Sequence, residues 1–224
     1  MTENKNGKPD RTAVREGLFW AVALVLIAFA VSLAAKSGFG VSMVVAPAYV
    51  LHLKLAETFP WFSFGVSEFV VQFLLILAMI AITKTIRLKY VLTFGTAAIY
   101  GVILDFWRGI VGTDVPGSTG LRIFYAACGI VICAFAIALM FRTSWPQEAY
   151  DMFVKDVSEH YGISTDKFKW GYDIASLLTA IALMLLLFHR FSFRMIGIGT
   201  LVTTVVNAPL IALFGKGIDK VFRE

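Results

Sequence analysis

Glu68 and Asp173 are the two residues of this sequence best placed to do chemistry, because each carboxylate lies inside an otherwise apolar stretch. An ionisable group in such a stretch costs about 2.5–3.5 kcal/mol on insertion scales, so it needs a partner or a task. The same short pattern follows both: Phe94-Gly95-Thr96 ends 28 positions after Glu68, and Ile198-Gly199-Thr200 ends 27 after Asp173. A second echo precedes them, Pro47-Ala48-Tyr49 in the first half and Pro146 with Ala149-Tyr150 in the second. Two acids related in this way could bind a cation, an amine or a proton. The plainer alternative is that carboxylates near helix N-termini are favoured by the helix dipole and reach interfacial water.

Other polar groups stand around this pair. Gln72 lies one turn beyond Glu68 on the same helical face and extends a polar track. Asn207 and Pro209 interrupt the last apolar stretch, where an amide beside a freed carbonyl makes a kinked polar point, although bonding between packed helices would use the same amide. Asp105 and Arg108 are three apart and read first as a self-neutralising pair on one helix face. The candidate solute site is therefore Glu68, Gln72 and Asp173, with Asn207 and Asp105 behind them. Gly95, Thr96, Gly197, Gly199 and Thr200 read as small residues that let helices approach closely.

Several chemistries are excluded by spacing. His52, His160 and His189 are isolated from one another, and Cys128 and Cys133 fall on different faces of one apolar stretch, so no metal-ligand set is present. No strand precedes Gly197-Ile198-Gly199, which removes a dinucleotide reading. With no nucleophile–base set either, neither an enzyme nor a cofactor is expected.

The elements that must position these residues are membrane helices. Charged residues are 16% of the 224, against about 25% in soluble domains, so the chain belongs in a bilayer. Six stretches approach the roughly 20 residues a span needs: Leu18 to Ala35, Gly65 to Thr83, Tyr90 to Ile110, Leu121 to Phe141, Trp170 to Phe188, and Ile196 to Gly215. Trp20, Trp61, Trp107, Trp145 and Trp170 all fall at or beside the ends of these stretches, where indoles prefer to sit. With six spans, 14 of the 20 Lys and Arg fall on the side of both termini, which the positive-inside rule makes cytoplasmic. A seventh crossing at 39–53 would split them 9 to 11 and lose the bias. The net charge of +5 thus reflects topology and gives no ground for nucleic-acid binding.

The fold class expected is all-α, six transmembrane helices in a three-plus-three inverted repeat, one polytopic domain over 17–224 behind a disordered cytoplasmic tail at 1–16. Repeat A spans about 17–112 and repeat B about 119–216, and an odd number of crossings in each turns the second upside down. Gly38, Gly40 and Pro47 break the segment after the first span, which suits a re-entrant or interfacial half-helix. After the fourth span, Ser144 and Gln147 resemble a capping box around Pro146. Tyr150, Phe153, Val154, Val157 and Tyr161 then share one face, with Asp151, Lys155, Asp156 and Glu159 opposite, as in a helix lying along the cytoplasmic interface. These two segments, with Gly199 and Pro209, are the candidate gates.

The stretch Gly38-Phe39-Gly40-Val41-Ser42 … Ala46-Pro47 … Leu51-His52-Leu53 resembles the first signature of the bacterial YczE/YyaS/YitT group of integral membrane proteins. So do Tyr150-Asp151-Met152-Phe153, Asp173, Gly197-Ile198-Gly199-Thr200 and Asn207-Ala208-Pro209-Leu210. The resemblance implies a duplicated helical protein of the bacterial inner membrane. The Gly-Thr-x-Pro pattern of the YczE branch is replaced here by Gly40-Val41-Ser42-Met43, with the proline displaced to Pro47. The expectation from residues and resemblance together is a small-solute permease or exporter working by alternating access, in contact with lipid and solute. The alternative is a non-transporting accessory or scaffold. The oligomeric state is open, a homodimer included.

Overall fold

A computed structural model describes residues 11–222 of the protein. They form eight α-helices: α1 (Arg11–Ser37), α2 (Ala46–Leu55), α3 (Phe64–Thr83), α4 (Leu88–Val111), α5 (Thr119–Met140), α6 (Ala149–Tyr161), α7 (Thr165–Phe188) and α8 (Ile198–Phe222). No strand occurs among the described residues. All but α2 and α6 are long and apolar enough to cross a bilayer, so the chain is a six-span, all-helical membrane protein. Of the tail expected at 1–16, residues 1–10 lie outside the described residues, and 11–16 are instead the opening turns of α1. Extending an existing helix requires no new nucleus, and Ala13, Arg15 and Glu16 are good helix formers.

The helices pack in two matching sets. The longest contact is between α1 and α5; α1 also packs on α4, and α5 on α8. The short helices are exchanged, α2 lying on α7 and α6 on α3. Interchanging α1 with α5, α2 with α6, α3 with α7 and α4 with α8 maps the α1–α5 pair onto itself and exchanges the other pairs two by two. Both short helices follow linkers of eight residues, 38–45 and 141–148. Lys84 and His189, which cap α3 and α7 at φ 51° and 52°, are the two described non-glycine residues in the left-handed region. They stand 105 positions apart, as Glu68 and Asp173 do.

Both short helices run back into the protein. In α2, Pro47 sits in the first turn, where its missing N–H costs nothing, and Ala46 to Val50 are buried. Its far end reaches the end of α7, with the Lys54 ammonium 5.4 Å from the Phe188 ring centroid. This is the short helix expected after the first span, as a re-entrant or interfacial segment. The segment after the fourth span is the expected amphipathic helix, and it packs in the same way. Amphipathic as its spacing requires, α6 starts buried against α3 and keeps Ala149, Tyr150, Met152 and Val154 covered. Its capping residue is Glu148, so Ser144 and Pro146 precede the helix and form no capping box. One residue of each face departs from the pattern: Asp156 is buried and Tyr161 exposed.

The interchange fails most plainly at one pair, and also where α6 touches α4, since α2 has no comparable contact with α8. Helices α3 and α4 pack closely, whereas α7 and α8 have no comparable contact. The α3–α4 crossing brings backbone to backbone, for a Cβ on Gly65 would lie 2.0 Å from the Gly101 carbonyl oxygen. Carrying the repeat offsets of 105 and 104 across, the equivalents of Gly65 and Gly101 are Trp170 and Val205, which cannot approach in this way. Gly65→Ala should consequently lower the unfolding temperature in detergent, at a cost of about 1–3 kcal/mol or more for overpacking. Gly95→Ala should be neutral or slightly stabilising, because nothing lies within 4 Å of a Cβ there; the close approach expected of Gly95 does not occur.

Candidate functional site

The sequence candidates fall into two places. Glu68 and Gln72 lie on α3 with no exposed surface, sealed by the start of α6. The Tyr150 hydroxyl donates to Glu68 Oε2 at 2.8 Å, and the Ala149 N–H donates to Gln72 Oε1 at 3.2 Å. The second contact answers one of the N–H groups that the first turn of any helix leaves open. Above it, the Pro146 carbonyl accepts from Trp20 Nε1 at 2.8 Å and from the Thr96 hydroxyl at 3.4 Å. Four polar atoms in this region, Glu68 Oε1, Gln72 Nε2, Tyr100 Oη and Glu148 Oε1, are enclosed without a hydrogen-bond partner. No described Lys or Arg forms an ion pair with Glu68. Tyr100 and Tyr150 are functional candidates that reading the chain linearly passed over as packing; the Ala-Tyr echo around Tyr150 was the available signal.

Asp173 and Asn207 meet elsewhere, in the gap between α7 and α8. A half-open cavity of about 250 Å³ lies there, walled by α7 from Asp166 to Asp173, by α8 from Thr203 to Ile211, and by Ser42, Met43 and Val44 of the re-entrant linker. Asp173 is eight residues into α7, about 12 Å from its start, so the cavity reaches well below the helix end. Lys169 Nζ stands 3.6 Å from Asp173 Oδ1, close enough for an ion pair and too far for a hydrogen bond. Trp170, expected at a span end, lies inside α7 and helps to line the cavity.

The gate candidates hold the re-entrant linker in place. Gly40, at φ +94°, has no room for a side chain, since a Cβ would meet the Thr200 hydroxyl at 2.4 Å. The Gly199 N–H donates to the Phe39 carbonyl at 2.9 Å. Arg122 donates to the carbonyls of Ser37 and Gly38 at 2.7 and 2.9 Å, so Gly38 is fixed as well. Pro209 lies inside α8, two residues beyond Asn207. The small residues of the second echo thus serve linker-to-helix contact, with Gly197 and Gly199 meeting the Phe39 backbone.

Asp105 belongs to neither place. Its carboxylate accepts from the Ser63 hydroxyl and, at 2.8 Å, from the Gly65 N–H, anchoring the start of α3 to α4. It forms no ion pair with Arg108, whose Nη1 is enclosed without a hydrogen-bond partner. The self-neutralising pair is replaced by a helix anchor, since Gly65 and Ser63 offer donors that the α3–α4 crossing brings within reach. A further acid unforeseen as a contact, Asp156, takes Lys89 at 2.5 Å and the Tyr90 hydroxyl at 2.7 Å, tying the end of α6 to the start of α4. Among the described residues no group of three His, Cys, Asp or Glu could hold a metal ion.

Burial acts on two carboxyls outside the six spans. It pushes Glu148 well above the ordinary carboxylate range, with repulsion from Asp151 and Glu68 adding to the effect. It raises Asp151 also, against the opposing pull of Lys169.

The profile of a family of unknown function, DUF6198, matches residues 14–216, and the chain belongs to that family. No curated protein and no solved structure matches the chain. The family match carries no activity with it, and the likeness to the YczE/YyaS/YitT group stays a resemblance.

Two outcomes test the sealed compartment. Tyr150→Phe leaves Glu68 without its hydroxyl partner and should cost about 1–3 kcal/mol of stability in a denaturation series. For Glu148 the folded value lies above the ordinary 4.5, so the folded state holds its proton longer than the unfolded chain. Stability should then fall as pH rises from that ordinary value toward the raised one, and Glu148→Gln should flatten the slope in thermal melts.

Proposed function

We propose that this DUF6198 chain is a small-solute transporter of the bacterial inner membrane, a permease or exporter that works by alternating access. The observation that carries the reading is the largest broken correspondence between the repeats, the α3–α4 contact that α7 and α8 lack. One half is sealed around Glu68 and Gln72; the other is parted around a cavity that holds Asp173 and Asn207. Inverted repeats that meet around polar groups at membrane depth, with re-entrant backbone between them, are the usual skeleton of secondary transporters. The resemblance to the YczE/YyaS/YitT group leans the same way. The side carrying both chain ends is read as cytoplasmic from the Lys and Arg bias.

In this reading the solute enters the α7–α8 cavity and is held by Asp173 and Asn207. The sealed α3–α4 half is the fixed body, and α7 with α8 is the part that rocks, since these two helices are the least covered by the rest of the protein. The linker at Ser42 to Val44 lines the cavity and, following the first span, is the outer gate. Glu68, enclosed and without a cationic partner among the described residues, is the candidate carrier of a coupling proton.

Vesicles that hold the purified full chain would be loaded with a metabolite mixture and the exchange followed by mass spectrometry. One or more solutes should move with the native chain and at least about tenfold more slowly with Asp173→Asn, the loss of one charged contact. A chain that moves nothing would be an accessory or scaffold, and one that moves solutes equally well after Asp173→Asn and Glu68→Gln would overturn the roles given to these two carboxylates.

A further inference from the structure

We infer that the α7–α8 cavity selects a primary or secondary ammonium group carried on an apolar body; this rests on the binding site proposed above and names its ligand class. Hydrogen-bond roles on the cavity wall favour a donor ligand. Asp173 Oδ1 and Asn207 Oδ1 are enclosed acceptors without a hydrogen-bond partner. Thr203 and Thr204 each spend their only hydroxyl proton on their own helix, donating to the carbonyls of Gly199 at 2.7 Å and Thr200 at 2.9 Å. Toward the cavity both hydroxyls are therefore acceptors only. Donors on the same wall are the Ser42 hydroxyl, the Trp170 indole N–H, the Asn207 amide N–H groups and the Lys169 ammonium; the acceptor sites of Asp166, Asp173, Asn207, Ser42, Thr203 and Thr204 outnumber them, so the wall asks for N–H donors.

Charge selects among donors. Asp166 and Asp173 against Lys169 leave the cavity one negative charge in excess, and Lys169 makes no hydrogen bond to Asp173. An anion is thereby disfavoured and a cation favoured, in a place where a desolvated charge interaction is stronger than in water. The rest of the wall is apolar: Met43, Val44, Ala208 and Ile211, with the Trp170 ring, whose face attracts cations. Ile174 and Leu178 on α7, and Leu201 and Val205 on α8, are exposed, so an apolar tail can run between the helices toward lipid. A quaternary ammonium carries the charge without the N–H donors, and an alcohol carries a donor without the charge. Both should bind worse.

The test uses the purified full chain in detergent, with 2-phenylethylamine, its N,N,N-trimethyl analogue and 2-phenylethanol as probes, read by thermal shift and equilibrium dialysis. The amine should stabilise the protein and bind at least about tenfold more tightly than either analogue. Asp173→Asn should lower amine affinity by about tenfold or more, and Asn207→Ala by less, with the order of the three probes compressed in both variants. Equal binding of amine and alcohol, equal binding of amine and quaternary analogue, absence of amine binding, or an unchanged affinity in Asp173→Asn would overturn the inference. Because binding is read at equilibrium without a gradient, it separates from transport. Amine binding without flux of any solute would sink the transporter reading alone, and solute flux without amine binding would sink this one alone.

Discussion

Backbone polar groups at membrane depth must find partners inside the protein, and the rest of this structure depends on how that demand is met. Two short helices begin within the fold, where the first turn of a helix leaves N–H groups open and the linker before it leaves carbonyls open. Each repeat answers for the other. The side chain of Gln72 on α3 receives the Ala149 N–H at the start of α6, and Trp20 with Thr96 takes the Pro146 carbonyl. In the opposite direction Gly199 at the head of α8 donates to Phe39, and Arg122 on α5 holds Ser37 and Gly38. Thr96 and Thr200, the shared threonines of the two echoes, both sit against a linker of the opposite repeat. The repeated pattern is thus a pair of docking points for irregular backbone, which gives a physical reason for its recurrence.

Within that frame the two halves differ at one crossing. Gly65 and Gly101 let α3 and α4 touch along their backbones, and Asp105 reinforces the contact by accepting from the Gly65 N–H. The positions that the repeat offset makes equivalent hold Trp170 and Val205, both exposed, and α7 and α8 make no comparable contact. A polar cavity then persists beside lipid-facing surface, lined by charged residues that would be costly there without water or a ligand.

Much of the fold was legible because hydropathy and indole placement report directly on a bilayer. All six spans occur, and the re-entrant or interfacial segment at 38–53 followed from Gly38, Gly40 and Pro47. What misled was α6. Its charge pattern reads as a surface helix, yet Asp156 is covered because Lys89, Arg87 and Tyr90 come from a turn distant in the chain. Asp105 misled for the same reason: a neighbour three residues away is visible in a sequence, and a backbone N–H on another helix is not. The pairing of Glu68 with Asp173 as equivalents was legible from spacing, and Lys84 and His189 repeat it in the backbone. Their division between a sealed compartment and an open one was not, since it lies at positions that only the repeat offset connects.

The exchange of α2 and α6 bears on how such a chain can arise. A lone repeat would carry a half-helix whose buried start had nothing to bond, so its stable form would be a pair of identical copies threaded through the membrane in opposite senses. Joining the copies head to tail would relieve each of the need to insert both ways. Within a single chain the two crossings are free to differ, one holding Gly65 and Gly101 and the other Trp170 and Val205, so a closed half and an open half can share one protein.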